Sequence, residues 1–484
     1  MKIKFILPAL TEAESSFWRP IKYSLFPPLG LATLAGYLEP CDEAEIVDQH
    51  VQPLDTSDCP DVVAIQVYIT NAYRAYRIAD HYRAKGVFVI LGGLHVTSLP
   101  EEAARHADAI FLGPAEAAFP EFLKDYRTGS TKPVYASDVR TLLGIPPIRR
   151  DLIQRERYLV PNSIVVTRGY PYHCNFCYKD AFFKGGKSFY TQMVDDALAE
   201  IDRLPGRHLY FLDDHLLGHR HFARELFTGM AGMGRIFQGA ATIDSILNGD
   251  LIEAAADAGL RSIFIGFESL KTTSLENSNK QQNLGIDYRQ AIDRLHDLGI
   301  MINGSFVFGL DGDTPEVYQK TVSWAIESGI TTATFHIATP YPDTGFYKTM
   351  ATAGRLLTGN WDLYDTRHVV FEPKLISATN LQSGYDWAYE EFYRWSSISR
   401  SSLFHGTAKH QLKHFFYAGG WKKFEPLWNM VIQIKKLNLM TPLLECVLSK
   451  VTKNVSLSEA ELSLGNAVPP RSLLVAGDNQ ANGT

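Results

Sequence analysis

Apolar positions come in short runs divided by amphipathic stretches, and the period changes along the chain. Over the first 130 residues or so, Ile3–Leu7, Ala44–Val47, Val62–Val67, Val87–Leu91 and Ala109–Leu112 are short, apolar and rich in β-branched residues. Between them Leu29–Leu38, Ala72–Lys85, Pro100–His106 and Phe119–Tyr126 carry a helical period. Strands alternating with helices predict a parallel, doubly wound α/β sheet. Ligands on such sheets sit beyond the carboxyl ends of the strands. The glycine loops there are Gly92-Gly93-Leu94-His95 and Gly113-Pro114-Ala115-Glu116. Alternation resumes with Ile164–Val166, His208–Leu212, Phe237–Ala241, Ser262–Ile265, Met301–Phe306 and Thr332–Ile337, enough for a partial (β/α)6 barrel. The helices expected between these strands include Met193–Leu204, Asp250–Ala258, Tyr288–Leu298 and Pro315–Glu327.

The pattern divides the chain into a first domain over 1–135, a linker over 136–160 and a core over 161–345. A mainly helical domain over 346–455 and a small, polar tail over 456–484, expected to be disordered, complete it. Lys409, Lys413, Phe415, Phe416, Trp421, Lys422, Lys423, Trp428, Lys435 and Lys436 form a basic and aromatic stretch. Such helices either pack on their own domain or rest on a membrane surface.

Composition narrows the classes. The 484 residues are 45% hydrophobic and 21% charged, as in a soluble globular protein, and a net charge of −6 argues against nucleic acid as a partner. Five cysteines and an N-terminal apolar run too short for a signal peptide point to a reducing cytoplasm, without a disulfide framework. Nowhere is an apolar run long enough to span a bilayer expected. Cys41, Cys59 and Cys446 read as small buried hydrophobes.

Candidate chemistry centres on Arg168-Gly169-Tyr170-Pro171-Tyr172-His173-Cys174-Asn175-Phe176-Cys177-Tyr178. Two cysteines three apart in a Gly/Pro/aromatic loop after a strand read as a metal loop, since thiolates suit iron–sulfur clusters. The segment resembles the C-x-x-x-C-x-x-C loop of radical S-adenosylmethionine (SAM) enzymes, with Tyr170 in place of the first cysteine. Phe211-Leu212-Asp213-Asp214-His215, Gly266-Phe267-Glu268-Ser269, the Gly304–Thr314 segment with Gly309, and Pro340-Tyr341-Pro342-Asp343-Thr344 resemble later family segments, in the family's order. Pro27-Pro28-Leu29-Gly30, Val47-Asp48 and the two glycine loops resemble the cobalamin-binding domain found at the N-terminus of many such enzymes.

This resemblance implies three cofactors: a [4Fe-4S] cluster, SAM and cobalamin. It assigns Cys174, Cys177 and Tyr170 to the cluster position. Gly92, Gly93, His95, Gly113, Glu116, Phe176, Glu268, Gly304 and Gly309 fall beside the cofactors, and Asp213, Asp214 and His215 near substrate or SAM. His50 and His95 read as loop histidines rather than cobalt ligands. Three readings of Tyr170 stay open. Tyr170, His173 or an exogenous group completes the ligand set; or the cluster is lost or labile; or a one-base change has altered an active parent. The activity implied is C-methylation of an unactivated carbon on a small-molecule or lipid-like substrate, fed by an electron donor such as flavodoxin or ferredoxin. The Lys280-Gln281-Gln282-Asn283 run and the aromatic C-terminal region resemble a subgroup that includes hopanoid methylases. A radical SAM cyclase or oxidoreductase, a cofactor-binding protein without radical chemistry, and a membrane-peripheral scaffold are the alternatives.

Overall fold

The computed structural model describes residues 1–10, 25–184, 188–423 and 441–449. The tail over 456–484 and the basic-aromatic positions beyond Lys423 lie outside the described residues.

Two parallel six-stranded sheets dominate. The first is built from β1 (Lys2–Leu7), β2 (Glu43–Asp48), β3 (Val62–Gln66), β4 (Phe88–Gly92), β5 (Ala109–Leu112) and β6 (Val134–Ala136), in the order β2-β1-β3-β4-β5-β6. Its strands are parallel and covered on both faces, so they read as continuous apolar runs rather than alternating ones. One face packs on Leu29, Leu31, Phe119 and Phe122, the other on Ala75, Ile78, Ala79 and Tyr82. The sixth strand, Val134-Tyr135-Ala136, was not foreseen, because three residues after a proline carry no period. Pairing with β5 defines it.

The second sheet starts at β7 (Ser163–Ile164), and the chain then makes an antiparallel hairpin of β8 (Thr167–Gly169) and β9 (Phe189–Thr191). β10 (His208–Phe211), β11 (Ile236–Ala241), β12 (Leu260–Glu268), β13 (Met301–Phe308) and β14 (Thr332–Ile337) follow, and the order β14-β13-β12-β11-β10-β7 is that of a partial barrel. Its core holds Phe211, Phe237, Phe267, Phe306, Phe308 and Phe335. The helices Ala378–Phe392 and Trp395–Ser402 close its far side; Tyr389 and Tyr393 exchange hydrogen bonds with the backbone of Phe335 and Ala333. Phe176 leans on this core.

Cys41 and Cys59 correct one expectation: both are exposed, lying in loops that border β2 and β3 rather than under a sheet. Among the described residues no helix is long and apolar enough to cross a membrane.

Candidate functional site

The carboxyl ends of the first sheet face the start of the barrel across a cavity of about 320 Å³. Gly92, Gly93, Gly113 and Glu116 line it from the first sheet; Arg168, Tyr178, Lys179 and Asp214 line it from the barrel. A second cavity of about 500 Å³ is lined by His95, Asp48, Asp365, Arg367 and Tyr341, and it shares Tyr68, Leu94 and Tyr178 with the first. The two chambers therefore meet at Tyr178, the residue after Cys177.

The glycine loops pack closely against their own surroundings. Gly93 has φ 118, and a Cβ there would lie 2.7 Å from the Val67 carbonyl oxygen. Gly113 has φ 71, and a Cβ there would meet the Arg140 guanidinium at 3.1 Å and the Phe182 carbonyl at 3.2 Å. Only glycine supplies both the backbone conformation and the space. A mainly apolar chamber floored by glycine loops at strand ends lies where doubly wound sheets take their ligands. Both loop histidines are held by carboxylates. His50 Nδ1 meets Asp48 Oδ1 at 2.8 Å, and its Nε2 accepts from the Leu10 amide at 3.3 Å. His95 Nε2 bonds Glu102 at 3.0 Å, and burial pushes its pKa down.

Cys174 and Cys177 lie in a turn closed by the Cys177 amide on the Cys174 carbonyl, 3.0 Å. The loop is tied to the segment after β12: Asn175 N donates to Ser278 O at 3.2 Å, and Asn175 Nδ2 to Asn277 O at 2.8 Å. Gln282 Nε2 donates both to the Tyr170 hydroxyl (3.0 Å) and toward Cys174 Sγ (3.8 Å), so oxygen and sulfur converge on one donor. Lys179 Nζ stands 5.0 Å from the Tyr170 ring centre, and the His215 ring 6.0 Å from it. Burial pushes the phenol of Tyr170 up to about 12 and raises both thiols. His173 faces outward, exposed, with its Nδ1 bonded to Asp180 at 2.9 Å. Two thiols fit a cluster, and a phenol shares their corner.

The ends of β10, β12 and β13 supply charge. Asp213 is fully buried and turns its carboxylate onto backbone: it accepts from the amides of Val166 (3.1 Å) and Thr167. Burial lifts its pKa to about 7. Asp214 faces the first chamber and pairs with Lys179 at 2.8 Å. His215 is buried against Thr242 Oγ1 at 3.2 Å, and burial lowers its pKa to about 4. Glu268 ends β12 with φ 61, a conformation that is uncommon outside glycine and clusters at functional sites. Its Oε1 holds buried Lys280 at 2.9 Å, and a Cβ at Gly266 would strike that carboxylate. Gly304 lies within β13, where a Cβ would meet Phe306, Ile330 and Phe267 at 3.1–3.3 Å. Gly309 turns with φ 92 and gives its amide to Asp313 at 3.0 Å.

The expected residues thus divide among three places. Gly92, Gly93, Gly113, Glu116 and Asp214 line the first chamber and His95 the second, whereas Glu268, Tyr170 and the cysteines cluster beside Lys280 and Gln282. Sequence reasoning missed Tyr178, Lys179 and the roles within Lys280–Asn283. That run was visible as a motif, and the structure shows its use: Lys280 neutralises Glu268, Gln282 bridges Tyr170 and Cys174, and Asn283 donates to the carbonyls of Gly266 and Phe267.

Comparison with known proteins agrees with this geometry. A B12 binding domain model matches residues 23–123, and a Radical SAM superfamily model matches residues 164–325. Bacteriochlorophyllide d C-12(1)-methyltransferase of Chlorobaculum tepidum is 31% identical over 70% of this chain and 76% of its own length. The hopanoid C-2 methylase of Rhodopseudomonas palustris is 24% identical over 74% of this chain and 71% of its own length. An anaerobic magnesium-protoporphyrin IX monomethyl ester cyclase of Rubrivivax gelatinosus is also 24% identical, over 66% of this chain and 65% of its own. Among solved structures, the radical SAM methyltransferase TsrM of Kitasatospora setae, with cobalamin and a [4Fe-4S] cluster bound, superposes with a TM-score of 0.61 at 13% identity. That match covers 91% of this chain and 99% of that one, and it speaks for the fold. The chain belongs to the cobalamin-dependent radical SAM enzymes, a family related to methyltransferases and served by cobalamin, SAM and a [4Fe-4S] cluster.

Proposed function

We propose that this enzyme methylates an unactivated carbon of a small, largely apolar molecule bound in the second chamber. When bound, the cluster and SAM supply a carbon-centred radical and cobalamin supplies the methyl group. The observation that carries the reading is Tyr178, which follows Cys177 and forms part of the wall of both chambers. It sets the radical-generating loop at the border between the cofactor chamber and a chamber large enough for a small ligand.

The protein's own residues orient and enclose. Cys174 and Cys177 would hold iron; Glu268 and Lys280, a buried ion pair at a strained strand end, would offer charge to the polar groups of SAM; the glycine loops would seat cobalamin. Phe26, Leu7, Leu10 and Tyr364 make the second chamber apolar on one side, while Asp365 and Arg367 give it a polar edge for orienting a substrate. An electron donor such as flavodoxin or ferredoxin serves the cluster. The presence of a cyclase among the relatives keeps cyclisation as a second outcome of the same radical.

Tyr170 stands where the family's first cluster cysteine is expected. A neutral phenol is a poorer ligand for reduced iron than a thiolate, so the cluster of this chain is held more weakly than a three-thiolate one. The test is anaerobic reconstitution with iron and sulfide, with iron counting, EPR of the reduced protein with and without SAM, and 5′-deoxyadenosine formation, run beside Tyr170→Cys. Tyr170→Cys is expected to approach about four irons per chain, with a SAM-sensitive signal and faster SAM cleavage than the unmodified protein. Absence of iron and of 5′-deoxyadenosine formation from both proteins sinks the proposal.

A further inference from the structure

We propose that cobalamin binding and closure of the cluster loop are coupled: a guest filling the first chamber braces both ends of the Tyr170–Cys177 loop, and the Arg168–Glu116 ion pair is the strut. The inference rests on the reading that this chamber receives cobalamin.

The barrel-side wall of the chamber includes Thr167 and Arg168, just before the loop, and Tyr178 and Lys179, just after it. The opposite wall is made by the glycine loops of the first sheet. The Arg168 guanidinium reaches across to the Glu116 carboxylate, with only 21% and 10% of the two side chains exposed. Arg168 also stands opposite Tyr190 in the register of the β8–β9 hairpin. The hairpin in turn fixes the loop's first residue, through the Tyr170 amide on the Ser188 carbonyl at 2.7 Å. At the other end Lys179 is tied to Asp214 at 2.8 Å, and the Phe182 carbonyl lies where a Cβ at Gly113 would meet it at 3.2 Å.

Both flanks of the loop form part of the chamber wall, so any displacement of them inward needs empty space in the chamber. A guest removes the space, and a buried ion pair transmits the resistance, because parting Arg168 from Glu116 leaves two charges without partners. The coupling is reciprocal: the factor by which cobalamin favours the closed loop is the factor by which the closed loop tightens cobalamin. Arg168 and Glu116 are positioning residues here.

The experiment uses the full chain, free of cluster, under anaerobic conditions in the dark. Iodoacetamide labelling of Cys174 and Cys177 is followed by peptide mass spectrometry with and without saturating methylcobalamin, whose binding is measured by its absorbance. Exposed Cys41 and Cys59 serve as internal references. Cobalamin is expected to slow labelling of Cys174 and Cys177 about tenfold relative to the references. Glu116→Gln, at saturating cobalamin, is expected to lose most of that protection. Should Glu116→Gln not fold, Arg168→Lys supplies the second arm, with intermediate protection because one charge contact survives. Unchanged labelling with cobalamin bound overturns the coupling and leaves the functional reading standing, and so does full protection in the variants. Failure of methylcobalamin to bind the unmodified chain overturns both.

Discussion

Two six-stranded parallel sheets meet at this site, and they build their halves of it by opposite means. The first sheet contributes backbone: at Gly93 and Gly113 side chains are missing where a Cβ would collide, and the loops make a shape. The barrel contributes charge: Asp213 on backbone amides, Asp214 on Lys179, and Glu268 on Lys280. A large, preformed cofactor is selected by the space it fills, whereas reactive chemistry needs fixed dipoles and counter-charges in a dry place. Damage to the two halves should therefore look different.

The largest effect is expected from the charged half. Glu268→Ala leaves the Lys280 ammonium buried without its partner, a change that costs about 3–5 kcal/mol. Chemical denaturation measures it, and Glu268→Ala with Lys280→Met should recover a good part of the loss. No recovery would mean that the strained φ of Glu268, rather than its charge, is what the barrel end depends on. Next comes the shaped half. Gly93→Ala forces a Cβ onto the Val67 carbonyl from a backbone with φ 118, with strain of about 1–3 kcal/mol. Cobalamin affinity is expected to fall at least tenfold while iron binding is retained, by absorbance titration beside iron counting. Equal loss of both would erase the contrast between the halves.

The most gradual effect is a pH dependence. Burial raises the pKa of Asp213 to about 7 from an ordinary value near 4. Between those values the folded state holds a proton that the unfolded state has released, so this group makes stability fall as pH rises from about 4 to about 7. The slope is at most about 1.4 kcal/mol per pH unit. Asp213→Asn should flatten that part of the stability curve; an unchanged slope would assign it elsewhere, with Asp313, raised by burial to about 6, next in line.

Much of the scaffold could be read in advance because buried parallel strands announce themselves. Val62–Gln66 and Phe88–Gly92 are apolar throughout and bounded by turn residues, and the helices between them keep their period. Val134–Ala136 could not be read, since its identity as a strand lies in its neighbour rather than in its own side chains. The site divides likewise. Glycines, cysteines and the Asp213-Asp214 pair stand out as residue types, but adjacent carboxylates on one strand end point apart. Nothing local says that Asp213 serves the backbone of Val166 while Asp214 meets Lys179. The Arg168–Glu116 contact spans 52 positions and two sheets, a distance at which residue type alone says nothing about partnership. Cys41 and Cys59 were misplaced for the complementary reason: a cysteine's apolar character does not decide whether its loop is covered.

The division of the interior into two chambers has an evolutionary consequence. The larger chamber takes Asp362, Tyr364, Asp365, Thr366 and Arg367 from the chain after the last barrel strand, and the smaller one takes nothing beyond Asp214. If the second chamber takes the substrate, as proposed, replacement of that late segment would redirect which molecule is accepted without touching a residue that lines the first chamber. The architecture thus permits new specificities to arise as changes to one short stretch of polypeptide, on a catalytic apparatus inherited whole.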